Sequence, residues 1–292
     1  MWMSNKWKDY EVLDATDGER LERWGKYYLV RPDPQVIWST PHSAPEWKRY
    51  DARYLRSNTG GGHWSEHHLP ERWQISYGDY LTFHVKPMNF KHTGVFPEQA
   101  ANWDFIREKV ANAGRPVRVL NLFAYSGGAT LAAAAGGAEV WHVDAAKGMV
   151  AWAKENAVAS GLADRPIHWI VDDCGKFIQR EIRRGRKYDG IIMDPPSYGR
   201  GPSGEIWKME TSFYPFLQLA LKILSDHPLF VIINSYTTGL APSAVGYVAD
   251  TVFGAAYGGK TQCGELGLPV RESGLMLPCG ATGRWTPEGG KD

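Results

Sequence analysis

A chain of 292 residues can bury a large core, and 43% hydrophobic with 22% charged residues is typical of a globular protein. The formal net charge of +1 excludes a protein that binds nucleic acid through overall positive charge alone. No apolar run approaches the roughly 20 residues that span a bilayer, so no membrane partner is expected. Three widely spaced cysteines and an acidic start without an apolar leader predict a protein of the reducing cytoplasm.

Residues 1–95 are predicted to form a small β-rich domain, for which substrate binding is one hypothesis. Short β-like runs are separated by turn residues: "YYLV" before "RPDP", "VIW" before "STP", and "WQIS" and "LTFHV" around "YGD". Seven of the thirteen tryptophans lie before residue 74, so their rings are expected to supply much of this domain's core.

Residues 96–292 are predicted to form a second, α/β domain. It opens with a helix in "PEQAANWDFIREKV", after which strand and helix patterns alternate as in a parallel sheet covered on both faces. The predicted strands are "VRVLNLF", "AEVWHVD", "PIHWIV", "YDGIIMD" and "LFVIIN". The helices between them are "GATLAAAAGG", "KGMVAWAKENAVASG", "CGKFIQREIRRG" and "FYPFLQLALKIL". The tail segments "KTQCGELGL" and "GLMLPCG" are predicted as a hairpin at a sheet edge.

The glycine turn after the first of these strands separates two classes of enzyme, nicotinamide dehydrogenases and methyltransferases. Ligands of open α/β sheets bind at the carboxyl ends of the strands. A dinucleotide needs the spacing G-x-G-x-x-G, which places pyrophosphate on backbone N–H groups. Here Gly127 and Gly128 are adjacent and that spacing is missing. The turn therefore favours a cofactor without phosphates, such as S-adenosylmethionine.

Two carboxylates follow the next two strands. Asp144 ends the second strand and is predicted to accept hydrogen bonds from both ribose hydroxyls of an adenosine. Capping of the next helix is an alternative role that is compatible with the first. Asp173 follows the third strand and is predicted to accept from an adenine amino group, in competition with the same capping role.

The fourth strand leads into "DPPSYG", where Asp194, Pro195 and Tyr198 are the predicted catalytic residues. Two prolines stiffen the loop, and Pro195 has no backbone N–H, so the loop's carbonyls are expected to be available as acceptors. A carboxylate, a carbonyl and an aromatic face can hold a planar amine near a methyl group. Hydride transfer does not require this arrangement. The alternative, a stiffened turn that only closes the strand, would account for the two prolines but not for the residues beside them.

With these motifs the chain resembles class I S-adenosylmethionine-dependent methyltransferases of Rossmann-like fold. Within them it is similar to bacterial ribosomal RNA large-subunit methyltransferases of the cytosine-C5 and guanine-N7 type, which join a small β domain to this fold. The likeness covers roughly residues 80–240 and rests on "VLNLFAYSGG", "DPP" and "FKHTGVFPEQ". The last is similar to the family's K-T-G-x-x-x-D-Q, with Glu98 in place of Asp.

The resemblance implies an RNA substrate, ribosomal RNA first among them, and S-adenosylmethionine as cofactor. Asp194 would border the cofactor as well as the acceptor. The other cofactor-binding residues that it implies, besides Asp144 and Asp173, are Phe96, Pro97, Gln99, Asn121, Phe123, Ala124, Tyr125, Ser126 and Gly127.

The target atom is predicted from a missing cysteine. Methylation of cytosine carbon 5 needs a thiolate nucleophile, which the C5 enzymes of the resembling family carry in an "S-C-S" segment after the fifth strand. Here Ser235, Tyr236 and Thr237 occupy that place. A base nitrogen, ring or exocyclic, is therefore predicted as the acceptor. The alternatives are a small-molecule or protein methyltransferase, or a non-catalytic RNA-binding protein that keeps the fold.

Two other stretches of the sequence are candidate binding sites. "GGGHWSEHH" brings His63, Glu66, His67 and His68 together, but without a cysteine it is more typical of a polar loop, and no metal is expected. "WKRYDARYLR" mixes aromatic and basic residues, which suits either nucleic acid or an ordinary solvated face. The sequence does not predict an oligomeric state.

Overall fold

Two structural units make up this chain, as seen in a computed structural model that describes residues 1–57, 61–65, 68–200 and 206–288. The β-rich unit consists of Trp2–Ala101 and Leu266–Cys279. The α/β unit consists of Met1, Asn102–Glu265 and Gly280–Asp292. The sequence places a boundary after residue 95, and the structure adds the segment Leu266–Cys279 to the first unit.

The β-rich unit contains a five-stranded sheet, in the order β2-β3-β4-β5-β6, and a two-stranded sheet, β7-β8. Its strands are β1 (Trp2–Met3), β2 (Tyr10–Thr16), β3 (Glu19–Trp24), β4 (Tyr27–Pro32), β5 (Ala52–Arg56), β6 (Gly62–Trp64), β7 (Trp73–Tyr77) and β8 (Leu81–Val85). Strands β2 and β3 are joined at Asp17 and Gly18, whose φ values of 53° and 78° fit a two-residue hairpin turn. "DG" is a strong hairpin signal that the sequence already carries.

The strand predicted at "VIW" is wrong. Val36 donates its N–H to the carbonyl of Asp33 at 3.2 Å, and the Trp38 indole donates to the Ala15 carbonyl at 2.7 Å. The first bond closes a turn that begins at "PDP", and the second ties Trp38 to the backbone of β2, so the segment forms no strand of its own. The tryptophan prediction holds for Trp24, which is fully buried, whereas Leu13, Leu21 and Val30 form an aliphatic part of this core.

Helices and strands alternate in the α/β unit. The helices are α1 (Ala100–Ala111), α2 (Gly128–Ala135), α3 (Lys147–Ala159), α4 (Cys174–Arg184), α5 (Met209–Leu221), α6 (Pro242–Ala249) and α7 (Ala255–Tyr257). The strands are β9 (Arg118–Leu122), β10 (Glu139–Asp144), β11 (Ile167–Val171), β12 (Gly190–Met193), β13 (Tyr198–Arg200), β14 (Ile206–Lys208), β15 (Phe230–Ser235), β16 (Lys260–Pro269) and β17 (Met276–Thr286). Of the last two strands, residues 260–265 and 280–286 lie in this unit. Throughout the described ranges, helices are too short or too polar to cross a membrane.

The sheet of the α/β unit confirms the predicted fold class. Its strand order is β11-β10-β9-β12-β15-β17 and continues with β16. The first five strands are parallel, and β17 pairs antiparallel with β15. Strands β12 and β15 are buried along their whole length, as expected of strands covered on both faces. Because β10 and β12 lie on opposite sides of β9, the connections diverge there, and the carboxyl end of β9 is where a ligand site is expected.

Candidate active site

The loop after β9 has an unusual backbone. Phe123, Tyr125 and Gly127 have φ values of 55°, 51° and 90°, which lie in the left-handed region. Glycine adopts this conformation readily, whereas other residues in it cost about 1–3 kcal/mol each and need support from their surroundings. Such strain is concentrated at functional sites. We call residues 123–127 the first loop; it ends where Gly127 caps helix α2.

Asp144 is one support of the first loop. Its Oδ2 accepts from the Tyr125 N–H at 2.9 Å, and its Oδ1 accepts from the Ala146 N–H at 2.8 Å. The Ala124 N–H adds a bond to the Val143 carbonyl at 3.1 Å. A carboxylate offers about four lone-pair positions, so two protein bonds leave acceptor capacity for a pair of ligand hydroxyls. Asp144 is also half-buried, which keeps it within reach of a ligand.

Two further supports were missed by sequence reasoning. The Phe123 N–H donates to the Cys174 sulfur at 3.3 Å, and the Asn156 amide donates to the Ser126 carbonyl at 2.9 Å. Asn156 is completely buried on the same helix face as Val150 and Ala153. A polar side chain in a buried helical stripe is the signal that could have identified it.

Asn121 lies beneath the first loop in a buried polar network. Its amide donates to Thr130 Oγ1 at 2.9 Å, and the same hydroxyl lies 2.9 Å from His142 Nδ1. Burial lowers the pKa of His142 to about 3, so this imidazole is neutral under ordinary conditions. The network joins β9, α2 and β10.

Asp173 is the N-cap of helix α4 and accepts from the Lys176 N–H at 2.8 Å. The neighbouring Asp172 accepts from the Asp173 N–H at 2.9 Å and forms an ion pair with Arg180. The capping role weighed for Asp173 is therefore present in the structure. Its contact with an adenine amino group stays a prediction.

The loop from Asp194 to Tyr198, which we call the acceptor loop, follows β12. Met193 is paired with Leu122, so the acceptor loop and the first loop leave neighbouring parallel strands at the same edge of the sheet. Pro195 is buried, Asp194 is half-buried, and Tyr198 is 51% exposed. This edge thus combines a carboxylate, a proline carbonyl and an exposed aromatic ring.

The expectation that the acceptor loop's carbonyls are all available is wrong for Pro196. The Trp207 indole N–H donates to the Pro196 carbonyl at 2.6 Å. Ser197 is held as well, because its carbonyl accepts from the Met209 N–H at 3.1 Å and its hydroxyl accepts from Thr237 at 2.8 Å. The loop is therefore fixed by residues that follow it in the chain.

Phe96, Pro97 and Gln99 belong to the β-rich unit. Pro97 and Gln99 are buried in a short 3₁₀ helix, and the Pro97 carbonyl accepts from Ser4 at 2.8 Å and from the Trp7 indole at 3.0 Å. Phe96 precedes this helix and is half-buried. Their contact with a cofactor stays a prediction.

The other stretches weighed in the sequence contribute less. In "WKRYDARYLR", Arg53 forms an ion pair with Glu19 at 2.6 Å, and Arg49 lies 3.4 Å from Glu46, so part of its positive charge is neutralised. Of the histidine-rich stretch, Glu66 and His67 lie outside the described residues. Within the described part of the chain, His, Cys, Asp and Glu side chains form no cluster that could hold a metal ion.

Curated relatives of this chain include "Ribosomal RNA large subunit methyltransferase K/L" from two bacteria. The Chromohalobacter salexigens protein is 27% identical over 220 residues, which are 73% of this chain and 28% of the relative. The Shewanella frigidimarina protein is 30% identical over 155 residues, which are 52% of this chain and 21% of the relative. The chain thus spans only about a quarter of the length of these relatives.

Solved structures resemble almost the whole chain. The crystal structure of an S-adenosylmethionine-dependent methyltransferase from Agrobacterium tumefaciens is 37% identical, with a TM-score of 0.91 over 98% of this chain and 93% of that one. A protein proposed to be a methyltransferase, solved with S-adenosylhomocysteine, is 21% identical with a TM-score of 0.71 over 96% of this chain and 76% of that one, which shows the fold alone. A sequence model of the S-adenosylmethionine-dependent methyltransferase family matches residues 38–208, more than half of the chain. This chain therefore belongs to the S-adenosylmethionine-dependent methyltransferases, and S-adenosylmethionine is its cofactor.

Proposed function

We propose that this enzyme transfers the methyl group of S-adenosylmethionine to a nitrogen of an RNA base, with ribosomal RNA as the first substrate to test. The observation that carries the proposal is the acceptor loop. It brings Asp194, Pro195 and the exposed Tyr198 to the sheet edge at which the first loop begins.

The acceptor group beside the first loop suits the ribose of the cofactor. We assign the ribose hydroxyls to the remaining lone pairs of Asp144, since a carboxylate that already accepts two backbone N–H groups is fixed in orientation. The backbone between Phe123 and Gly127 would form the wall beside it. When bound, S-adenosylmethionine supplies a methyl group that is activated by the adjacent positive sulfur.

The acceptor loop would orient the substrate. The Pro196 carbonyl is bonded to Trp207, so we assign a substrate amine to the Asp194 carboxylate and the Pro195 carbonyl. The exposed ring of Tyr198 can stack on a base that is turned out of its helix or loop. A nitrogen that carries a lone pair needs no strong base, so most of the catalysis is positioning.

The state of two of the three cysteines supports a nitrogen acceptor. Cys174 is buried and already accepts the Phe123 N–H, and burial raises the pKa of its thiol, so it is not a thiolate at neutral pH. Burial likewise raises the pKa of Cys279, a residue of the β-rich unit. Within the segment where the C5 enzymes carry their cysteine, Tyr236 stands at the cysteine's position. The next residue, Thr237, forms a hydrogen bond with the acceptor loop.

RNA is proposed as the substrate on two grounds. The relatives named above are ribosomal RNA methyltransferases, although this chain spans only a part of each. The exposed Tyr198 beside Asp194 is the kind of aromatic surface on which a base can stack.

The test is nucleoside mass spectrometry of ribosomal RNA from cells with and without the gene. We expect one N-methylated base to be missing without the gene and to return when purified enzyme and S-adenosylmethionine are added to that RNA. Asp194→Ala should fail to restore it while binding S-adenosylhomocysteine normally, and the exposed Asp164→Ala should serve as the matched control. Unchanged RNA, with methyl label found instead on protein or on a small molecule, would contradict the proposal.

A further inference from the structure

We infer that Trp207 is a positioning residue for methyl transfer, which holds the acceptor loop in the conformation that presents Asp194 and Pro195 to the substrate. This inference rests on the proposed role of the acceptor loop. The contact that carries it is the 2.6 Å hydrogen bond from the Trp207 indole to the Pro196 carbonyl.

The Pro195-Pro196 pair leaves one of its own backbone angles to be set from outside. Proline rings fix φ at Pro195 and Pro196, and a following proline restricts ψ at Pro195. The ψ angle of Pro196 is not restricted in this way. It sets the direction of the Pro196 carbonyl and the direction in which Ser197 leaves, so a donor on that carbonyl determines the path of the rest of the loop.

Trp207 is itself held in place. It lies in β14 opposite Gly199 of β13, so its backbone is paired with the strand that continues the acceptor loop. Its ring packs against Phe216 at a centroid distance of 5.3 Å and an interplanar angle of 90°. A donor that is fixed by both backbone and ring loses little freedom when it forms a hydrogen bond.

The same ring also contacts the first loop. The ring centroids of Trp207 and Phe123 lie 5.7 Å apart, and those of Phe123 and Phe216 lie 5.6 Å apart. Phe123 is one of the left-handed residues of the first loop. Trp207 thus contacts the first loop with its ring and the acceptor loop with its N–H. A mutation can remove one of these contacts and keep the other.

Trp207→Phe separates them, because it keeps an aromatic ring beside Phe123 and Phe216 and removes the N–H. We expect its affinity for S-adenosylhomocysteine to stay within about twofold of wild type. Its single-turnover rate on RNA with saturating cofactor should fall by about tenfold to a hundredfold, the size of effect that a small misplacement of reacting groups produces. Tyr214→Phe, at a half-exposed ring on the following helix, is the matched control and should behave as wild type.

Amide hydrogen exchange of the free enzyme gives a second measurement that needs no RNA. Peptides that contain Ser197–Gly199 should exchange faster in Trp207→Phe than in wild type, whereas peptides from β9 should be unchanged. Thr237→Val, which removes the other side-chain bond to this loop, should produce a smaller change in the same peptides. Trp207→Tyr, which also lacks the indole N–H that donates to Pro196, provides a second variant if Trp207→Phe does not fold.

Wild-type turnover in Trp207→Phe would overturn the positioning role, and so would unchanged exchange at Ser197–Gly199. Loss of cofactor affinity equal to the loss of rate would also overturn it, because the residue would then serve the cofactor site as a whole. If wild-type enzyme methylates no RNA, the proposed function fails, and the exchange experiment still decides whether Trp207 fixes the loop.

Discussion

Asp144→Asn is the change that tests the proposed cofactor site most directly, because it keeps the size of the side chain and removes its charge. Asparagine retains one acceptor oxygen, so one of the two backbone N–H groups, that of Tyr125 or that of Ala146, would face an amide NH₂ instead. A hydrogen bond to a charged group contributes about 1.5–3 kcal/mol. If the first loop must regain this conformation when the cofactor binds, the lost hydrogen-bond energy weakens the cofactor affinity roughly tenfold to hundredfold.

The assay is calorimetric titration with S-adenosylhomocysteine, with the exposed Asp164→Asn as control. Competition by adenosine and by 2′,3′-dideoxyadenosine separates loop support from ribose contact. Wild type should prefer adenosine, and Asp144→Ala should lose that preference. Affinity within twofold of wild type in Asp144→Asn would refute the support of the loop by Asp144. A full preference for adenosine in Asp144→Ala would refute the ribose contact.

Three further predictions concern stability and chemistry. Gly128→Ala places a Cβ 2.4 Å from the Trp103 ring and should lower the free energy of unfolding in urea by about 1–3 kcal/mol, whereas Gly148→Ala, with open space around it, should not. His142 has a pKa lowered to about 3 by burial against an ordinary value of 6.5, so the unfolded chain binds the proton first. Its contribution to stability should therefore be complete above pH 6.5 and decline as the pH falls toward 3, and His142→Phe should show a shallower decline in urea titrations across that range. The variant with Cys174, Cys263 and Cys279 all changed to alanine should still methylate RNA if it folds, and 5-fluorocytidine RNA should form no covalent adduct with wild type; an adduct on any of the three would restore carbon 5 as the target.

The sequence predicts the sheet of the α/β unit well because its strands are buried on both faces. A short, continuous apolar run such as "GIIM" or "FVIIN" is typical of a strand that is buried on both faces. Turns with glycine or aspartate separate such runs from the helices. Prediction of a strand from apolar, β-prone residues fails at "VIW", where Val36 closes a turn with Asp33. Strand propensity in so short a segment is outweighed by where its backbone hydrogen bonds go.

Candidate site residues can be predicted when they stand at the end of a strand. Asp144 ends β10 and Asp194 directly follows β12, so the sequence points to both, and their roles stay predictions. Trp207 and Asn156 act on segments 11 and 30 residues away, through hydrogen bonds that no local pattern encodes. The Pro196 carbonyl was misjudged for the same reason, since its partner lies beyond the loop in which it was considered.

The strained backbone of the first loop also suggests a structural role for Cys174. Among the described residues other than glycine, φ is positive only at Asp17, in a hairpin turn, and at Phe123 and Tyr125. A left-handed Phe123 turns its N–H away from any strand partner and toward Cys174, where the sulfur accepts it at 3.3 Å. A buried thiol of raised pKa suits that acceptor role, whereas a thiolate in the same place would be an uncompensated buried charge. The hydrogen bond to the first loop, the proposed cofactor side of the site, therefore gives this cysteine a structural role that needs no covalent catalysis.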